Sequence, residues 1–395
     1  MKVLKKAFLN IRESFPKMHF GLLILMIAFA IFGLLMIFSA SSVAAVLRYG
    51  VSTNYFFLKQ LIFVVLGFIG GFIIMTVPTK VYRYISKIAM FVMMFLLSFL
   101  FVGGIVAGGA QSWYDFGIFN FQPAEFAKPI IIVYLAVYYH KLSSKKKISF
   151  FSAIYPLILC AIIFVLIAIQ PDFGGAFIIF LIVALIFFAV PIGKAHKRKI
   201  FSMIGVGIVV LALSLLLFGK TIFQSYQVSR LLNFANPCQR YTEDSGYQVC
   251  NGYIAIHNGG LFGVGLGNST QKYLYLPEAH TDFIYPIIVE ECGLLVGILV
   301  VFLYFVMLFI ILDIAKKTDN LRNSVLAYGV FGYLLAHILI NMLGVLGIIP
   351  LTGVPLPFLS YGGSYNLCVI LSLFIVQRVN IENRLDRQRR KIENL

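Results

Sequence analysis

Residues 276–291 read LPEAHTDFIYPIIVEE and set Glu278, His280, Asp282, Glu290 and Glu291 at the mouth of a long apolar run. The chain holds only 15 acidic residues among 395. An unpaired ion at the centre of a bilayer costs roughly 3 kcal/mol or more. Acids tolerated there serve chemistry, ion passage or a structural partner. Asp282 follows Thr281, so either side chain could cap the helix that begins here. One cap does not need three ionisable groups, however, and Glu278 and His280 crowd the same place. Pro286 also deprives the Asp282 carbonyl of its usual intrahelical donor. Glu290 and Glu291 lie about 12 Å deeper, at about 1.5 Å per residue, where a hydrogen-bonding role between helices is the simpler reading.

Other charges sit at comparable places. Glu125 and Lys128 in FQPAEFAKP are three apart, so they share a helix face and can pair. The pair is either structural or leaves Lys128 to meet an anionic group of a substrate. Asp172 in the turn QPDFGG could cap the next helix or join an acidic cavity with Glu125 and Asp282. Arg230 and Lys272 are cations that either snorkel to headgroups or bind phosphate. The run NGGLFGVGLGN (258–268) does not fit GxGxxG and follows no strand, so it is not a nucleotide loop. Its glycines allow close backbone approach instead. Ser360, Ser364 and the histidines form no Ser–His–Asp order. The absence of CxxC and HxxxH removes the usual metal-ligand spacings.

These residues need scaffolding, and the composition says what kind. Hydrophobic residues make up 61% and charged residues 12%, against about 25% charged in soluble domains. Apolar runs of about 20 residues recur, enough to cross a hydrocarbon core of about 30 Å. A spanning segment must satisfy its own backbone, so the runs are helices. The expectation is an all-α polytopic membrane protein, one domain over 1–395. Its ten spans fall near 20–46, 57–77, 85–107, 124–140, 150–169, 173–192, 200–218, 283–312, 323–345 and 363–378. Most of the 32 basic residues fall on one side, in the N-terminus, alternate short loops and a tail over 379–395. Both termini are therefore expected in the cytoplasm. The net charge of +17 is topogenic and faces membrane lipids; no basic soluble domain exists to bind nucleic acid.

The opposite face is elaborate. One loop, about 108–123, holds the single tryptophan, Trp113. A second, 219–282 between spans seven and eight, is far longer than ordinary connections and is expected to contain short helices at the outer leaflet. It carries Cys238 and Cys250, for which oxidation and free thiols are both open. A third, 348–364, contains three prolines and resists a regular helix. A lipid-borne or extracytoplasmic substrate follows from this asymmetry.

Four segments together, FQPAEFAKP, QPDFGG, NGGLFGVGLGNSTQKYLYLPEAHTDFIYPIIVEE and PLTGVPLPFLSYGGS, resemble the SEDS (shape, elongation, division and sporulation) family over nearly the whole chain. The passage SGYQ…NGYIAIHNGGLFGVGLGNS is closer to its FtsW branch than to RodA, and the CQRYTEDSGYQVC insert is longer than the usual pattern. The resemblance implies a peptidoglycan glycosyltransferase that polymerises lipid II on the outer face of the bacterial cytoplasmic membrane, at the division septum. It also implies a class B penicillin-binding protein and other division proteins as partners. The family's essential acid falls on Asp282, as general base. Glu125, Lys128, Asp172, Arg230, Lys272, Glu278, His280 and Ser364 would form its substrate-binding surroundings. No tightly bound cofactor is expected, and whether a divalent cation assists is open. The rival readings are a lipid-linked sugar flippase, a RodA-type elongation polymerase and a scaffold without catalysis.

Overall fold

The computed structural model describes residues 13–107, 110–117, 120–200, 202, 237–239 and 244–393. The helices are α1 (Phe20–Leu47), α2 (Tyr55–Thr76), α3 (Tyr82–Gly103), α4 (Pro123–Ser143), α5 (Phe150–Ile169) and α6 (Phe173–Ala189), followed by α7 (Asp244–Gly259), α8 (Ile284–Cys292), α9 (Leu294–Lys316), α10 (Leu321–Val345) and α11 (Gly363–Glu393). Among the described residues, seven of these helices are long and apolar enough to cross a membrane; α6 is a shorter apolar helix. The chain is a multi-pass membrane protein of predominantly helical fold. The span expected at 200–218 lies outside the described residues.

Three differences from the sequence reading have physical causes. The first is a small sheet that follows the C-terminal end of α3. β1 (Ile105–Ala107), β2 (Ala110–Asp115) and β3 (Asn120–Phe121) pair antiparallel, with Ile105 opposite Trp113 and Tyr114 opposite Phe121. The predicted third span therefore stops at Gly103. The Tyr114 hydroxyl ties the sheet to α3 by donating to Leu96 O at 2.7 Å.

The second is a break in the span predicted at 283–312. Gly293 separates α8 from α9 with φ 89° and ψ 162°, a region open essentially to glycine alone. The glycine-rich turn fills the break. Val264 N and Gly265 N donate to the carbonyls of Glu290 (2.9 Å) and Glu291 (3.0 Å), while Leu294 N donates to Gly260 O (2.9 Å). The orphan groups of both helix ends are thus satisfied by one neighbouring loop. A Cβ on Gly293 would overlap Leu261 O and Phe262 C. Gly293→Ala is expected to cost about 1–3 kcal/mol from backbone conformation alone, before the collision is counted. Thermal unfolding in detergent checks this, and an unchanged melting temperature would contradict it.

The third is the tail. The last span was expected to end near 378, yet α11 continues unbroken to Glu393. Polar residues hold it: Arg378 pairs with Glu382 at 3.0 Å, and Glu382 accepts from Thr79 N (2.8 Å), Thr79 Oγ1 (2.6 Å) and Asn323 Nδ2 (2.8 Å). Asn383 Nδ2 donates to Ile314 O at 3.3 Å. These bonds tie α9, α10 and α11 to the turn between α2 and α3.

α10 and α11 carry the most buried surface and form the middle of the bundle. α11 packs most extensively along α2. Small residues allow the approach, as in other membrane helix pairs. A Cβ on Gly67 would stand 2.9 Å from Ile370, and one on Gly71 would overlap the ring of Phe374. The expected short helix in the loop 219–282 is α7, and a disulfide joins Cys238, ahead of the helix, to Cys250 within it.

Candidate active site

The three-proline loop between α10 and α11 organises the site. It has no regular helix from Leu351 to Leu356, and side chains from several elements hold it. Leu356 N donates to Ser360 Oγ and Phe358 N to Asn366 Oδ1, each at 2.8 Å, and Asn366 Nδ2 donates to Ser360 O at 2.8 Å. The Tyr304 hydroxyl donates to Pro357 O. Buried main chain is thus paired despite its irregular path, as the membrane interior demands.

Consecutive residues of this loop meet the candidate residues in turn. Thr352 abuts the start of α6, where a Cβ on Gly174 would lie 2.9 Å from Thr352 O. Asp172 caps that helix, its Oδ1 accepting from Gly175 N at 2.7 Å. Gly353 faces Asp282, and a Cβ there would lie 3.8 Å from Asp282 Oδ2. Val354 O accepts from Asn341 Nδ2 at 2.8 Å. Pro355 O lies 3.2 Å from His337 Nδ1.

Asp282 is 7% exposed. The N-cap position of α8 is Phe283, which makes no side-chain cap bond. Thr281 binds elsewhere. Its hydroxyl lies 2.7 Å from Glu278 Oε2 and 3.2 Å from Asp282 Oδ1. Glu278 in turn stands 4.0 Å from the half-exposed Arg48, whose Nη1 donates to Pro277 O at 3.0 Å.

Glu125 and Lys128 form a buried pair at 2.6 Å on α4. Pro123 opens that helix, and Pro129 lies within it. The other carboxylate oxygen, Glu125 Oε2, has no hydrogen-bond partner among the described residues. Lys128 Nζ also reaches His337 Nε2 at 3.4 Å. With Nδ1–H donated to Pro355 O, Nε2 is left as the acceptor facing the lysine. Tyr365 stacks on the His337 ring at 4.6 Å and Tyr333 meets it edge-on at 5.0 Å.

His280 is buried beside Asp282. Its ring lies 4.7 Å from Phe56 and 5.7 Å from Tyr361, and its carbonyl accepts from Tyr361 N at 2.8 Å. Burial, reinforced by the Arg48 charge, pushes its pKa down to about 4. Between that value and the ordinary 6.5 the unfolded chain binds a proton that the folded chain refuses. Stability from this group is therefore complete above about 6.5, falls as pH drops through the window, and levels off below about 4. The full loss is about 3 kcal/mol at most. His280→Asn is expected to flatten the dependence of melting temperature on pH between 4 and 7. An identical slope in wild type and variant would assign the effect to another group.

The remaining expected residues fall elsewhere. Lys272 is spent inside the protein: its Nζ lies 2.9 Å from Glu291 Oε1, 2.6 Å from Gly267 O and 3.2 Å from Ser39 Oγ. Glu291 accepts from Ser39 on α1 at 2.7 Å. Glu290 gathers Ser269 Oγ, Thr270 N (3.2 Å) and Thr270 Oγ1 (2.9 Å). These two acids hold the turn 267–272 against α8 and α1. Ser364 starts α11 and ties it to the small sheet, donating to Asn120 O at 3.2 Å. Arg230 lies outside the described residues. Among the described residues no group of three or more His, Cys, Asp or Glu side chains is arranged to hold a metal ion. His337 and Asn341 were missed in the sequence, although their spacing of four on one helix face is a readable signal.

The family model for cell cycle proteins of the FtsW, RodA and SpoVE type matches residues 20–385. The probable peptidoglycan glycosyltransferase FtsW of Bacillus subtilis is 37% identical over 98% of this chain and 96% of its own. Stage V sporulation protein E of the same organism is 36% identical over 89% of this chain and 94% of its own. A solved structure from work on polymerization and crosslinking by a peptidoglycan synthase complex shares the fold, with a TM-score of 0.73 at 22% identity, covering 93% of this chain and 98% of that one.

Proposed function

Since the chain belongs to the FtsW, RodA and SpoVE family of cell cycle proteins, we propose that it is a peptidoglycan glycosyltransferase that polymerises lipid II at the outer face of the membrane during division. The observation that carries the mechanism is the setting of Asp282: a nearly buried carboxylate just outside the first turn of α8, facing Gly353.

Asp282 takes the proton from the 4-hydroxyl of the acceptor GlcNAc. The freed oxygen forms a bond to C1 of the donor MurNAc, and the bond from C1 to the phosphate oxygen breaks. The electron pair leaves with the polyprenyl diphosphate, and the anomeric centre inverts. Diphosphate is a good leaving group, so one carboxylate suffices where glycosidases use two to protonate an alcohol. A positioned base supplies roughly 10²–10⁴ in rate. Lys128, held by Glu125 and His337, and Arg230 supply positive charge to the departing diphosphate. Asp172, Glu278 and His280 shape the surroundings. The partners are a class B penicillin-binding protein that crosslinks the glycan, and other division proteins at the septum.

Purified protein, combined with its penicillin-binding partner and lipid II, is expected to yield glycan strands resolvable on a gel. Movement of lipid II across vesicle membranes with no polymer would favour the flippase instead.

A further inference from the structure

We propose that Asn341 is a positioning residue for the reaction: its amide fixes the main chain that carries Asp282 against the loop that faces it. The inference rests on the reading of Asp282 as base. Asn341 lies near the outer end of α10 and is 4% exposed. Its Nδ2 donates to Asp282 O and to Val354 O, both at 2.8 Å. Both partners are carbonyls, so the orientation of the amide is fixed by chemistry: only the NH2 can face them. The two donors are then fully used, and Oδ1 is buried with no hydrogen-bond partner among the described residues.

The need for this bond is written next to it. Asp282 O cannot receive the helical bond from residue 286, because Pro286 has no N–H. The proline keeps α8 from starting earlier and leaves Asp282 on non-helical backbone. Asn341 replaces the missing donor from another helix. The same amide takes the carbonyl of Val354, whose neighbour Gly353 borders the Asp282 carboxylate. One side chain therefore sets the distance between the base and the wall opposite it. A shift of about 1 Å in a catalytic group can cost about a hundredfold in rate.

Asn341→Leu keeps the size and removes both donors. In the complex with the penicillin-binding partner, kcat per folded molecule is expected to fall about a hundredfold while KM for lipid II stays close to wild type. Hydrogen exchange of the 276–286 segment is expected to quicken, with α1 and α2 unchanged. Asn341→Ala, which adds no bulk, provides the same measurements if the leucine variant folds poorly. A purely structural role would lower the folded fraction and leave kcat per folded molecule intact; that result overturns the proposal. Unchanged exchange at 276–286 overturns it as well, whether or not polymer is made. Failure of Asp282 as base shows separately, as polymer from Asp282→Asn.

Discussion

Asp282→Asn is expected to reduce glycan polymer by roughly a hundredfold or more while the protein remains folded and bound to its penicillin-binding partner. The amide has nearly the size of the carboxylate but cannot take the acceptor proton. The main-chain bond from Asn341 to residue 282 survives the exchange, so the change is confined to the reacting group. The loss should fall on kcat with little change in KM, the pattern of an interaction made only in the transition state. Asp282→Glu separates chemistry from geometry. It keeps a base but pushes it toward Gly353 by one methylene, and a large loss is expected there too. Polymer near the wild-type amount from the asparagine variant would remove Asp282 from the mechanism.

The second large effect concerns the pair on α4. Lys128→Met leaves Glu125, 4% exposed, with an uncompensated buried carboxylate. Breaking such a pair from one side costs about 3–5 kcal/mol, so poor folding is expected from the single variant. The double variant Glu125→Gln, Lys128→Met removes both charges at nearly constant volume and is expected to recover most of the melting temperature. Its polymerase activity is nevertheless expected to stay low, because the cation proposed to meet the diphosphate is gone. A double variant that is both stable and as active as wild type would reduce the pair to a structural role.

The sequence made some of this plain and hid the rest. The apolar runs of α1, α2, α5 and α10 match the expected spans to within about three residues, since backbone satisfaction in lipid leaves few alternatives. Asp282, Glu125 and Lys128 stood out because charges are rare and costly in such a chain. The break at Gly293 did not, because glycine is common in membrane helices and the apolar run continues across it. Only the contact with residues 260–265 shows why this glycine ends a helix. Lys272 read as an external cation, yet its partner Glu291 is 19 residues away and joins it only through the fold. Asn341 carried no charge to draw attention, and its partners are main-chain atoms that no side-chain pattern encodes.

The Cys238–Cys250 bridge has a practical reach beyond the loop it closes. Such bonds persist outside the cytosol and are rare within it. Molecules inserted with the loop facing the cytosol would keep both thiols reduced. Alkylation during denaturing lysis of cells, read by mass, then separates molecules with the loop outside from those with it facing the cytosol by whether positions 238 and 250 take up the reagent. The bridge thereby serves as a native ledger of membrane sidedness that requires no tag.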